Sequence, residues 1–243
     1  MSRFAKMVLI VAGAFISAPQ TFGAIVTAFD NQVGTGAGSN FTPTYVVSNT
    51  DLINGMSPSA SSIPTASFAL EAAGGLPVLT DGTYGSINDG VTGAHPAFAT
   101  AGNTGGTSVT YSLNTAASPA GYKLSNIVVF GGWNDNGRDQ QLYTVAYSTV
   151  ASPATFIDLT TVNFNPVIAA AVQSATRATI TEDALPNLAT GVAAVRFTFT
   201  AAVENGYTGY AEIDVNGSPV PEPASLGLLG AGAAGLLIRR RRA

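Results

Sequence analysis

From residue 24 to about residue 216 the chain is interrupted every few residues by Gly, Asn, Asp, Pro or Ser, and between the interruptions apolar and polar side chains alternate. That period of two is the feature that most constrains the fold, because successive residues of a strand point to opposite faces. In Val195-Arg196-Phe197-Thr198-Phe199-Thr200 the valine and both phenylalanines fall on one face and the polar residues on the other. Ile213 and Val215 alternate with Glu212 and Asp214, Val109, Tyr111 and Leu113 with Thr110 and Ser112, and Tyr143, Val145 and Tyr147 share one face. Residues 124–130 are almost continuously apolar after Asn126, as expected of a central strand covered on both sides. Further strands are expected at 24–29, 44–47, 155–159 and 177–181. Residues 66–73 have room for one or two helical turns, and the Ala-rich stretch 168–174 reads equally well as helix or loop. About ten short strands without a long amphipathic helix or a fixed repeat predict an all-β chain, a two-sheet sandwich of the jelly-roll kind.

Composition agrees. Of 243 residues, 46% are hydrophobic and 10% charged, with 27 Gly and 13 Pro, a mixture that suits many turns and not a helical bundle. The middle, roughly 195 residues, is long enough for one β domain with its own core. There is no cysteine, which removes disulfides, thiolate catalysis, thiolate zinc sites and Cys-ligated iron–sulfur clusters. Of the basic residues, only Lys123, Arg138, Arg177 and Arg196 lie between positions 24 and 220, against all the acids except Glu222. So acidic a body lacks the clustered cations that neutralise phosphates, so nucleic acid is not expected as a partner.

The ends differ from the middle. Residues 1–23 read as a secretory signal: Arg3 and Lys6, an apolar stretch over 7–16, a break at Ser17-Ala18-Pro19-Gln20, and small residues at Thr21-Phe22-Gly23-Ala24, where cutting after Gly23 or Ala24 is expected. At the other end, Pro221-Glu222-Pro223 precedes an uncharged Gly/Ala/Leu-rich run over 224–238 and then Arg239, Arg240, Arg241 and Arg242. As a helix the run would be about 22 Å long at ~1.5 Å per residue, short of the ~20 residues of a durable span. Snorkelling arginines and a thinned bilayer make it a marginal one. The arginine cluster should stay cytoplasmic, leaving residues 24–220 outside the inner membrane. An ordinary tail anchor is the plainer reading.

This tail, residues 218–243, resembles the PEP-CTERM sorting signal of bacterial envelope proteins. The resemblance implies recognition by an exosortase at the inner membrane, cleavage near Pro221, Glu222 and Pro223, and transfer of the body to the cell surface or extracellular matrix. The prolines exclude helix and sheet there, leaving an extended segment open to a protease.

Within the body, residues 24–217, the span from about 76 to 217 resembles galactose-binding-like domains related to discoidin, and the first 50 residues match the pattern poorly. The resemblance rests on the order of Leu79-Thr80-Asp81-Gly82, Ile127 to Gly132, Arg138 to Val145, Phe156 to Leu159, Val192 to Phe197 and Tyr210 to Val215. It implies a galactose-binding-like sandwich. It also implies a structural calcium ion held by the Asp-Gly loop and by a Glu on the final strand, here Asp81 and Glu212 with Asp89 nearby. The plain alternative is a turn Asp and a solvent-facing strand Glu.

Other chemistry is sparse. The single histidine, His95, lies in a loop, and no Gly-x-Ser-x-Gly accompanies it. Gly34-Thr35-Gly36-Ala37-Gly38 lacks the lysine and helix of a phosphate loop. A carboxylate pair for glycoside hydrolysis depends on a spatial separation that sequence does not display. The segment 133–139 holds the only tryptophan, and Trp133, Asn134, Asp135 and Arg138 are the group types of a sugar site: a ring to stack on, with donors and acceptors around it. A turn with a buried Trp explains the same residues, and Glu204 to Tyr207 reads as another turn. The expectation is a non-enzymatic exported protein, with extracellular polysaccharide as a partner. The alternatives are a secreted carbohydrate-active enzyme or accessory module, and a purely structural coat component.

Overall fold

In the computed structural model the described residues are 23–36, 40–62, 76–87, 99–101, 107–199, 204 and 206–222. The leader before residue 23, His95, Asp89, the stretch 66–73, Pro223, the run 224–238 and Arg239 to Arg242 lie outside them. Among the described residues no helix is long and apolar enough to cross a membrane.

Ten strands are described: β1 (Ile25–Val33), β2 (Ala60–Ser62), β3 (Ala99–Ala101), β4 (Thr107–Ser112), β5 (Tyr122–Trp133), β6 (Gln141–Thr149), β7 (Ser152–Phe164), β8 (Ser174–Glu182), β9 (Ala189–Phe199) and β10 (Thr208–Pro219), with a 3₁₀ turn at Leu76–Thr80. All pairings are antiparallel. One layer runs β1-β8-β5-β10-β3 and the other β2-β4-β9-β6-β7. They join where the start of β5 pairs with the start of β9, at Tyr122↔Val192 and Leu124↔Ala189. One curled sheet thus makes the expected two-layer sandwich.

The core lies between the layers. Ile127, Val129, Ala178, Ile180, Ile213 and Val215 face Val109, Tyr111, Tyr143, Val145, Val195 and Phe197. The rings interlock, Tyr143 with Tyr210 at 5.9 Å and Phe199 with Tyr210 at 4.7 Å, geometry worth ~0.5–1.5 kcal/mol per pair beyond area. The open side, where edge strands β1 and β7 approach each other, is closed by Phe29 stacked on Phe164 at 4.6 Å.

The expected strand at 44–47 does not form. That segment lies over the outer face of the first layer, where Phe41, Tyr45, Val47, Tyr84 and Ile87 cover Val128, Phe130 and Trp133. The cover explains the apolar run of β5, which is buried on both faces. The ambiguous stretch 168–174 is loop and turn up to Ser174, which opens β8, and Ala171 has φ 58°. Arg196 points away from the core and lies over the Phe156 ring at 3.5 Å.

Candidate functional site

A β-bulge builds the first site. On β10, Tyr210 opposes Gly131 and Glu212 opposes Phe130, so Ala211 is an extra residue. The bulge resets the alternation: Tyr210, Ile213 and Val215 face the core, while Glu212 and Asp214 share the outer face. That face is not open to water. Residues 48–56 and the loop after the 3₁₀ turn lie on it, and Glu212 and Asp214 are 0% and 3% exposed.

Each of three carboxylates has one oxygen held by the backbone and one left over. Asp51 Oδ1 accepts from Ile53 N–H at 2.9 Å and Val215 N–H at 3.2 Å. Asp214 Oδ2 accepts from Ser48 N–H at 2.9 Å, and Glu212 Oε2 from Gly82 N–H at 3.1 Å. The other oxygens, Asp51 Oδ2, Asp214 Oδ1 and Glu212 Oε1, are buried without a hydrogen-bond partner. The three residues each offer a ligand oxygen within 4.8 Å of the others.

The charges acting on them are all negative. Burial first, then Asp214, Asp81 and Asp51, push Glu212 up to about 9. Burial and Asp51 push Asp214 up to about 6, partly offset by the Ser48 N–H, and burial raises Asp51. Three anions so close in a dry pocket are unstable together. They need protons or a cation, and an oxygen-only donor set mixing carboxylates and loop backbone is what a hard cation such as Ca²⁺ takes.

Glu212 lies on β10, the last strand, and the carboxylates that offer ligand oxygens beside it are Asp51 and Asp214. Asp81 is exposed, and its Oδ1 is occupied by Thr83, at 2.9 Å to the N–H and 2.6 Å to the hydroxyl. Asp51 and Asp214 complete the cluster. Asp214 was legible, since two acids two apart on one strand share a face; Asp51 is contributed by a loop 163 positions earlier in the chain and carried no signal.

The second site joins β5–β6 to the segment before β10. Trp133 is 6% exposed and packs on Gly209, where a Cβ would come within 2.8 Å of the indole. It is a wall of the domain and not an open platform for a sugar. Arg138 lies over Trp133 at 4.5 Å and over Tyr207 at 4.7 Å, so two rings flank the guanidinium. Asn134, Asp135, Arg138 and Tyr207 are all half-buried, and Asp135 Oδ1 accepts from Gly137 N–H at 2.8 Å. Beneath them Asp139 is fully buried. Burial and the adjacent Glu204 carboxylate hold it up at about 7, against the Ser174 hydroxyl, which lowers it. Glu204 in turn accepts from Gln140 N–H at 3.1 Å. Sequence reasoning missed this pair, which loops far apart in the chain bring together.

Residues 219–242 match the PEP-CTERM protein-sorting motif. The motif marks an exported protein. It starts on the last residue of β10: Pro219 pairs with Tyr122, and Val220 N–H donates to Gly121 O at 2.8 Å. Solved structures similar to this chain include the family 32 carbohydrate-binding module (CBM) of AlyQ in complex with 4,5-unsaturated mannuronic acid, at 13% identity over 65% of this chain and 95% of that one, TM-score 0.37. Another is the family 32 CBM of C. perfringens NanJ in complex with galactose, at 15% identity over 62% of this chain and 91% of that one, TM-score 0.38. A third, from a Clostridium perfringens protein in complex with GalNAc-beta-1,3-galactose, has 12% identity over 65% and 94% of the two chains, TM-score 0.34. No curated protein matches the chain.

Proposed function

We propose that this is a non-enzymatic module of the cell surface or extracellular matrix, released from an inner-membrane intermediate by an exosortase acting near Pro221, Glu222 and Pro223. The observation that carries this reading is the junction at Val220. The last hydrogen bond of the folded body falls one residue before the Pro-Glu-Pro triplet, so a cut there detaches the whole domain and harms none of it. A calcium ion between Asp51, Glu212 and Asp214 is part of the proposal. It would tie the loop at 48–56 and the loop after the 3₁₀ turn to β10, in a chain without disulfides.

The proposed ligand is extracellular polysaccharide, bound at Asn134, Asp135, Arg138 and Tyr207. The guanidinium held between two rings is pre-oriented, which lowers the ordering cost of binding, and the neighbouring Asn and Asp supply acceptors for hydroxyls. Trp133 shapes the site from below.

The Asp139–Glu204 pair is the one feature that favours an enzyme. Its geometry argues otherwise. Glycosidase carboxyls stand ~5–9.5 Å apart with the sugar or a water between them, whereas Asp139 is fully buried with Glu204 directly against it. We read the pair as two acids sharing one proton to join two loops.

The test is to incubate the exported protein with a panel of polysaccharides and follow binding and reducing-sugar release together. Binding that is lost in Arg138→Ala, with no sugar released, is the expected result. Release of sugar rejects the non-enzymatic reading, and no binding to any polymer favours a structural coat component.

A further inference from the structure

The start of the folded body is held through both backbone groups of Ala24. At the mouth of β1, Ala24 N–H donates to Asp183 Oδ1 at 2.9 Å, and Asp183 N–H returns a bond to Ala24 O at 3.2 Å. Ile25 opposes Glu182 in the next register pair, so the position of Ala24 is fixed by the sheet. Glu182 lies beside it: one carboxylate oxygen accepts from Leu185 N–H, while the other, Oε1, is buried and unpartnered. A hollow of about 310 Å³ opens here between Ile25, Tyr147, Asp158, Glu182 and Leu188, and among the described residues no Lys or Arg lines it. Among the described residues the acids Asp158, Glu182 and Asp183 surround the spot, and the donors that reach Glu182 and Asp183 are neutral peptide N–H groups, those of Leu185 and Ala24.

We propose that the export leader is removed by hydrolysis of the Gly23–Ala24 bond and that the new α-ammonium of Ala24 docks between Asp183 and Glu182. Water adds across the peptide bond, leaving a carboxylate on Gly23 and an amine on Ala24, which takes up a proton. The nitrogen is the one already bonded to Asp183. As an ammonium it carries a full charge and three donors, enough to keep Asp183 and to reach the unpartnered Glu182 oxygen.

The geometry also selects this bond over its neighbour. Gly23 is pressed against both acids; a Cβ there would overlap the Glu182 carboxylate and lie 2.8 Å from Asp183 Oδ1. Cutting after Ala24 would discard the residue that makes the reciprocal pair with Asp183.

The inference rests on the export reading, and its test separates the two. The exported full chain is purified and its amino terminus determined by mass spectrometry; Ala24 is the expected first residue. Its α-amine is then acylated at neutral pH in the wild type and in Asp183→Asn, an exposed position. Docking should slow acylation about tenfold, the effect of one pKa unit on the free amine, and Asp183→Asn should restore the faster rate. A chain retained whole overturns both readings. A chain shortened at any other bond, or equal acylation rates, overturns this inference and leaves export standing.

Discussion

Glu212 makes the calcium proposal quantitative. Its carboxyl ordinarily titrates near 4.5 and is held at about 9 in the folded chain. In a chelator the folded chain keeps a proton that the unfolded chain has already lost. Stability is then greatest below about 4.5 and falls as pH rises towards 9, by ~1.4 kcal/mol per unit. From pH 5 to pH 8 this reaches up to ~4 kcal/mol, and relaxation around the charge reduces it. A domain of about 200 residues loses ~2–4 °C of Tm per kcal/mol, so a drop on the order of 10 °C is expected. Calcium competes for the same oxygens. Each pH unit below 9 weakens it about tenfold, hence ~1000-fold between pH 8 and pH 5. With 10 mM Ca²⁺ and a Kd of ~10⁻⁴–10⁻³ M, typical of extracellular modules, the stabilisation at pH 8 is ~1.4–2.7 kcal/mol, against almost none at pH 5. Melting curves at both pH values, with EDTA or Ca²⁺, read this directly. A midpoint that stays flat in EDTA, or a calcium shift equal at the two pH values, refutes the reasoning.

Glu212→Gln should stabilise the folded chain in EDTA at pH 8 by ~1–3 kcal/mol, because a neutral amide needs no proton uptake on folding and keeps the Gly82 bond, while abolishing the calcium shift; calorimetry with and without Ca²⁺ checks both. Asp139, held at about 7, adds a loss of stability from pH 5 to pH 7 that calcium does not correct, and Asp139→Asn should lower the slope between pH 5 and pH 7 while leaving the slope above pH 7 unchanged. Gly209→Ala should cost ~1–3 kcal/mol in urea melts by pressing a methyl on the Gly132 carbonyl and the Trp133 ring. Phe197→Ala, fully buried among Tyr111 and Tyr143, should cost ~3–5 kcal/mol by the same measure.

The sequence alone was enough for most of the longer strands, because a period of two with turn residues between runs has one stable outcome once a face must be buried. It also carried the tail, whose Pro-Glu-Pro, apolar run and arginines are contiguous and need no fold to bring them together. Thr44 to Val47 show where local pattern misleads: apolar alternation there serves to cover β5, and no neighbouring strand offers it a ladder. Glu212 and Asp214 were visible as two acids on one face, but a strand does not reveal what lies over it. Only the tertiary structure decided that this face is dry, because Asp51 comes from a loop far away and the bulge at Ala211 sets which side chains turn outward. It likewise put Trp133 against Gly209 and Asp139 against Glu204. Contacts between distant segments depend on how two sheets close on each other, and the forces that close them act on the whole core and leave no mark on any one stretch of chain.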